Sequence, residues 1–496
     1  MNPKGDTMKK FTIATLVMGL LLTLAYSQSI PFDDYFIDKS MRIDYYHIGD
    51  ATTDIITLDR VYQQGIWAGS EKNLIDNFNN GRYYVKIYDA ASKTMIYSKG
   101  FDSYFGEYQT SQPALDGIQR TFQESAIIPY PKHKIVFTME NRNRENQLQQ
   151  FFSQEIDPNS VDIVKDDLST DVKVYPIVKN GDPHVKVDIA ILGEGYTAQE
   201  EKKFEDDLAR FTKIFFTQEP YKSYPKNFNI SGVLKYSEQS GTDEPRANIF
   251  KNTAMSTTFN SMGSERYLLT EDNRAVHNIA AHVPYDAIMI MVNSKRYGGG
   301  GIYNFYLTFT TDNQWYEYVF LHEFGHSFTG LADEYYTSST AYTDFYPRGI
   351  EPTEPNITAL LNPPQVKWEA LITPGIEIPT PWEKEEFDKM DNAYQKTRTE
   401  MNDEVARLKR ERAPRIEIEK AEAKSEQLSR ENAEQVDKYL RNSKYWGKVG
   451  AFEGAGYSST GLYRSMIDCI MFTKGKKPFC KVCENAVLNM IKFYSE

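Results

Sequence analysis

The chain has 496 residues, with 69 acidic against 57 basic side chains and a formal net charge of -12. That length calls for two or three domains, and the acidic balance excludes a general nucleic-acid binder, whose footprint is a basic face. An aromatic fraction of 14% marks half-buried strands and polar-tipped surfaces more than it marks a ligand groove.

Residues 8–27, MKKFTIATLVMGLLLTLAYS, place Lys9 and Lys10 before an apolar run from Phe11 to Ala25, with Ala25 and Ser27 as small residues at a cleavage position. This pattern reads as a signal peptide over 1–27, because the run is shorter than the roughly 20 residues that span a bilayer. The expectation is an exported protein, whether secreted, periplasmic or at the cell surface, with no transmembrane anchor after cleavage.

From about residue 34 to 140, β-rich runs such as SMRIDYYHIG, GRYYVKIYD, TMIYSKGF and HKIVFTME alternate with turn residues. They predict an antiparallel β-sandwich within a domain of 28–165, without a cluster of catalytic side chains. His47 and His133 stand apart in the sequence and read as structural or exposed. The polar stretch 141–183, with NRNRENQ, DPNS and NGDP, has the composition of a connection.

A second pattern then begins and sets a domain of 170–496. KVDIAILGEGY is an apolar strand, TAQEEKKFEDDLARFTKIFF a helix opened by an N-cap at Thr197, and FNISGVLKYSE and YDAIMIMVN are further strands. Strand-helix-strand order with apolar runs predicts an α/β layer covered on both faces. The GGGG at 298–301 has neither the Lys-Ser/Thr nor the helix that a phosphate loop needs, and reads as the entry to an edge strand, IYNFYLTFT, able to pair with an extended substrate.

TDNQWYEYVFLHEFGHSF follows, with Thr311 and Gln314 as a capping-box pair ahead of a helix. His322 and His326 are four residues apart, so their imidazoles share one face and can hold one ion, while Glu323 is rotated by about 100 degrees and stands beside it. That is the arrangement of two metal ligands and a carboxylate that takes a proton from water. A catalytic zinc takes three protein ligands, and no histidine follows His326. The third ligand is therefore a downstream carboxylate or an upstream histidine such as His277 or His282. Gly330 can end the helix and turn the chain back, which makes Asp333 the nearest carboxylate on the return and Glu334 the next.

Residues 382–440 repeat Phe387, Tyr394, Met401 and Leu408 every seven residues amid dense charge, with a break at Ala413-Pro414. They predict an inserted helical hairpin, a solvated protrusion before a lid or a partner-docking arm. The three cysteines, Cys469, Cys480 and Cys483, cannot form a four-cysteine zinc site and have no histidine near them in sequence. A local disulfide, or small buried thiols that pin a C-terminal helix, is the reading they support.

The string HEFGHSFTGLADEY, with RIDYYHIG, GIWAGS, SKGF, ILGEGYT, SGTDEP, GAFEGAGYSSTGLYR and CIMF elsewhere, resembles the IgA-peptidase family of metzincin-like zinc metallopeptidases. The resemblance implies an α+β, two-domain protein with a metzincin-like α/β catalytic domain behind the β-rich one. Residue by residue it implies His322, His326 and Asp333 as zinc ligands, Glu323 as general base, and Met471 as the methionine turn beneath the metal. Gly330 and Tyr463 are supporting candidates, with Tyr457 a second candidate beside Tyr463 for the oxyanion. In this chain the step from His326 to Gly330 is one residue longer than the common metzincin spacing, and an aspartate stands where a third histidine is usual. The function implied is an exported zinc-dependent endopeptidase acting on a polypeptide, with a host or glycan-associated protein among the substrate classes. Two other readings are a surface binding protein with a structural or degenerate metal site, and a hydrolase of non-peptide amides.

Overall fold

Apolar alternation in the first part of the chain produces two sheets that share one core. The computed structural model describes residues 30–496 apart from 166–167, 338–344 and 364, so the segment read as a signal peptide lies outside the described residues. The strands are β1 (Phe36–Gly49), β2 (Asp54–Gln63), β3 (Tyr83–Asp89), β4 (Met95–Phe101), β5 (Arg120–Pro131), β6 (Ile135–Arg142), β7 (Leu148–Ile156) and β8 (Val164–Lys165). They pair as β5-β1-β2-β8 and β4-β3-β6-β7. Ile43 and Ile128 of one sheet meet Ile87, Phe137 and Met139 of the other in a single buried cluster. Every pairing is antiparallel except β2 with the short β8.

The two histidines of this part differ in setting. His133 is exposed. His47 is buried, with Nδ1 3.0 Å from Glu124 and Nε2 2.6 Å from Asp54.

After β9 (Val172–Val178) comes a six-stranded sheet in the order β13-β14-β12-β10-β11-β9. Its centre, β10 (Val187–Glu194), β11 (Phe228–Lys235), β12 (Ala287–Val292) and β14 (Tyr306–Thr310), is parallel, and β9 and β13 (Gly299–Ile302) close the edges antiparallel. Strand β10 is buried along its whole length, as a strand covered on both faces must be. Ile189 and Ile191 face helices α1 (Glu201–Phe215) and α3 (Tyr316–Thr329). Ala190 and Leu192 face α2 (Asn273–Ala280) together with Phe105 and Phe122 of the first part, so the β-sandwich supplies some of the second layer.

Thr197 opens the 3-10 turn Ala198–Glu200 that leads into α1, where its side chain and that of Glu200 form a capping box. At α3 the expected capping box is absent. Thr311 is buried with its hydroxyl on the Val292 carbonyl, and Asn313 Oδ1 accepts the Trp315 N–H at 2.7 Å instead. Gln314 has another use, donating to the Glu426 carbonyl at 3.0 Å.

The edge-strand reading also shifts by one strand. Three of the four glycines belong to the edge strand β13 itself, and IYNFYLTFT contributes the strand inside it. The cause is close packing: a Cβ at Gly301 would stand 2.4 Å from the Glu323 carbonyl oxygen, so only glycine lets this edge lie against α3.

The hairpin forms as α4 (Lys384–Arg410) and α5 (Arg415–Arg441), separated just before Pro414. Its base joins the core of the second part of the chain through Phe387, Val436 and Leu440. It also lies along the start of α3, where Trp315 Nε1 donates to Ser429 Oγ at 3.0 Å. The chain ends in a three-stranded sheet of β15 (Ile357–Thr358), β17 (Ser458–Met466) and β16 (Val449–Ala455), and in helix α6 (Lys481–Ser495). Among the described residues, no helix is long and apolar enough to cross a membrane.

Candidate metal centre

Helix α3 runs behind the edge of the sheet and presents His322 and His326 one turn apart. It ends at Gly330, in the left-handed conformation with φ 67°. The Leu331 N–H returns to the Gly325 carbonyl at 3.3 Å, and the Gly330 N–H to that of His326 at 2.8 Å, which turns the chain back on the helix. Asp333 lies on this return. Its Oδ1 is 3.1 Å from His322 Nε2 and 3.1 Å from His326 Nε2, and the two Nε2 atoms are themselves 3.1 Å apart.

The far nitrogens of both rings explain why these three atoms need a cation. His322 Nδ1 is 3.0 Å from the Ile470 carbonyl and His326 Nδ1 2.6 Å from that of Leu331. A carbonyl only accepts, so each Nδ1 carries a proton, and Nε2 is the atom left to turn a lone pair inward when the ring serves as a metal ligand. Three ligand atoms for one cation then converge. Three ligands at zinc bonding distance in a tetrahedral set stand about 3.3 Å apart, so the cluster fits zinc. Its electrostatics call for positive charge. Burial works against an imidazolium at His326, but Asp333 raises its pKa to about 9. Burial likewise opposes a charge on Asp333, yet the two histidines hold it well below the usual carboxylate range.

Glu323 stands beside the pair, with one ligand atom each of His322, Glu323 and His326 within 4.8 Å of one another. Burial raises its pKa; the two histidines pull it down, and Asp333 pushes it up again. The cleft in front is lined by Gly299, Gly301, Arg266, Tyr335, Tyr457 and the histidines. The β-sandwich adds Asp102 and Glu107 to the same wall, although its sequence offers no catalytic cluster.

The remaining sequence candidates are separated by the fold. Glu334 points away, its Oε1 3.3 Å from Cys483 Sγ. His277 is buried against Tyr285, 2.9 Å away, and His282 is held by the Ile279 and Ser169 carbonyls; neither lines the cleft. Tyr463 lies on β17 opposite Glu453, outside the cleft wall, whereas the Tyr457 hydroxyl donates to Asp333 Oδ2 at 2.5 Å. Met471 is fully buried under the site: a Cβ at Gly325 would come 3.0 Å from its Sδ, which gives Gly325 the reason that the sequence lacks. Arg266, which donates to the Tyr335 hydroxyl at 2.8 Å, carried no motif to single it out.

Comparison with known families matches most of the chain. The model described as IgA Peptidase M64 matches residues 175–491, and that described as Peptidase M64 N-terminus matches residues 31–153. No curated protein matches the chain. With both family patterns present in order and the HExxH histidines and glutamate clustered as a metal site requires, this chain belongs to the IgA Peptidase M64 family and is a zinc-dependent endopeptidase.

Proposed function

We propose that His322, His326 and Asp333 hold the zinc and that Glu323 is the general base of peptide-bond hydrolysis. The observation that carries the ligand assignment is the mutual 3.1 Å spacing of the two Nε2 atoms and Asp333 Oδ1, all three turned inward. Held by these three residues, zinc would supply Lewis acidity, lowering the pKa of a water toward about 7 and polarising the scissile carbonyl. Glu323 takes the proton of the attacking water and returns it to the leaving amine, a role suited to a carboxyl whose pKa burial has raised. Tyr457 fixes the outer oxygen of Asp333, leaving the inner one for the cluster. Arg266 and Tyr335 line the same cleft and supply donors to the oxyanion that forms on the carbonyl. Gly330 and Met471 act through position alone, the one by turning the chain and the other by filling the space under α3.

The substrate is an extended polypeptide laid along the cleft beside β13, whose glycines keep that edge low. Host or glycan-associated proteins are the class we assign to it, in keeping with export directed by residues 1–27. The units we assign are 28–165 and 170–496, with 382–440 as an insertion in the second. A binding protein with a degenerate site has no use for a carboxylate placed as Glu323 is, next to an open cleft.

The test is cleavage-site profiling in a mixed peptide library with the parent and Glu323→Gln, alongside zinc analysis. The expected result is discrete cleavage by the parent, a loss of about 10²- to 10⁴-fold in the variant, and equal zinc in both. Undiminished cleavage by the folded variant overturns the general-base role.

A further inference from the structure

Asp333 and Glu334 leave the returning chain on opposite sides, and Glu334 ends in a second cluster. One ligand atom each of Glu334, Cys469, Cys480 and Cys483 lies within 4.8 Å of the others, and all four residues are buried. Cys469 Sγ and Cys483 Sγ are 3.9 Å apart, and Glu334 Oε1 is 3.3 Å from Cys483 Sγ and 4.0 Å from Cys480 Sγ. Around a tetrahedral zinc, two thiolates stand about 3.8 Å apart and a thiolate and a carboxylate oxygen about 3.5 Å. The four atoms already have the size of a closed coordination shell.

Hydrogen-bond donors already point at two of the three sulfurs. The Cys480 N–H donates to Cys469 Sγ at 3.1 Å, the Cys483 N–H to Cys480 Sγ at 3.4 Å, and Ser465 Oγ lies 3.1 Å from Cys480 Sγ. Donors aimed at sulfur favour the thiolate, the form that binds metal. Glu334 is fully buried; Asn356 donates to its Oε1 at 3.0 Å, while its Oε2 has no hydrogen-bond partner among the described residues. A buried carboxylate with an orphaned oxygen is costly unless a proton or a cation meets it. Cysteine arithmetic excludes only an all-cysteine zinc site here. The missing fourth ligand is a glutamate 149 residues before Cys483, brought in by the fold.

We propose that Glu334, Cys469, Cys480 and Cys483 form a second, structural zinc site, separate from the peptidase centre. Four protein ligands leave no open position for water, so this ion does no hydrolysis. It ties the chain after α3 to the 469–471 turn and to the first turn of α6. Both strands of that tie reach the peptidase centre: Asp333 precedes Glu334, and Ile470, whose carbonyl holds His322, follows Cys469. The Glu334 N–H also donates to the Met471 carbonyl at 2.8 Å, closing the same loop.

The experiment uses the full exported chain, purified without chelator. Thiols are titrated with p-hydroxymercuribenzoate while a metallochromic indicator reads zinc release. The expected result is one zinc released per chain as three thiols react, in the parent and equally in His326→Ala, which removes a residue of the peptidase centre only. Cobalt exchanged into His326→Ala should show sulfur-to-cobalt charge transfer, and Cys480→Ser should lose it. If thiol titration releases no zinc, the proposal is overturned, whether three reduced thiols or one thiol and a disulfide are counted. The parent titration needs no variant to fold, and loss of the release in His326→Ala would equally overturn a separate site.

Discussion

The Tyr457 hydroxyl donates to Asp333 Oδ2 at 2.5 Å, while the other oxygen of the same carboxylate stands 3.1 Å from both histidine Nε2 atoms. Tyr457 sits in the turn between β16 and β17 at φ 63°, so a distant sheet fixes which oxygen of Asp333 faces the cluster. A hydrogen-bonded outer oxygen lowers the freedom of the carboxylate and favours single-oxygen ligation.

Tyr457→Phe should therefore weaken zinc binding by about 10- to 100-fold, the usual effect of removing a partner behind a ligand, without unfolding the chain. Competition against a calibrated chelator measures it. Unchanged zinc affinity would mean that Asp333 is oriented by its backbone alone.

Arg266→Gln should reduce kcat/KM about 10²-fold, chiefly through kcat, with zinc content preserved, if its guanidinium serves the oxyanion. Steady-state kinetics on a defined peptide separates the two parameters. A rise in KM alone would make Arg266 a substrate-binding residue instead.

Gly325→Ala places a methyl 3.0 Å from Met471 Sδ, 3.1 Å from Phe479 and 3.2 Å from Leu331. Overpacking of this kind costs about 1 to 3 kcal/mol, which urea unfolding would register as a lower midpoint. Full stability in the variant would remove the packing argument for this glycine.

His277 sets a pH dependence away from the metal. Burial, and after it the charge of Arg42, lowers its pKa to about 3. The unfolded chain takes up this proton near its ordinary value of about 6.5, so between about 6.5 and 3 the unfolded state holds more protons. Stability from this group is complete above that window and falls as pH drops through it, by about 1.4 kcal/mol per unit at most. His277→Gln should be less stable than the parent at pH 7, and the gap should narrow toward pH 4 in denaturant titrations. A gap that stays constant with pH would show that His277 takes up its proton in the folded state as well.

Several features were fixed by local chemistry and could be read from the order of residues. A four-residue step on a helix brings His322 and His326 together whatever surrounds them, and a glycine at 330 can turn left-handed where other residues resist. Apolar runs without alternation announced β10 and β12 as strands covered on both faces. The long charged repeat with a proline break gave α4 and α5 nearly to their ends.

What only the tertiary structure decided are contacts between segments far apart in the chain. Nothing local distinguishes Asp333 from Glu334, two adjacent carboxylates. The chain returning past α3 sends these two side chains apart, so one meets the histidines and the other the cysteines. Tyr457 rather than Tyr463, Arg266, and the Asp102 and Glu107 that the β-sandwich lends to the cleft have the same origin. Helix spacing is set within one turn, whereas a cleft wall is set by how sheets and loops pack, and that packing leaves no periodic mark in the sequence.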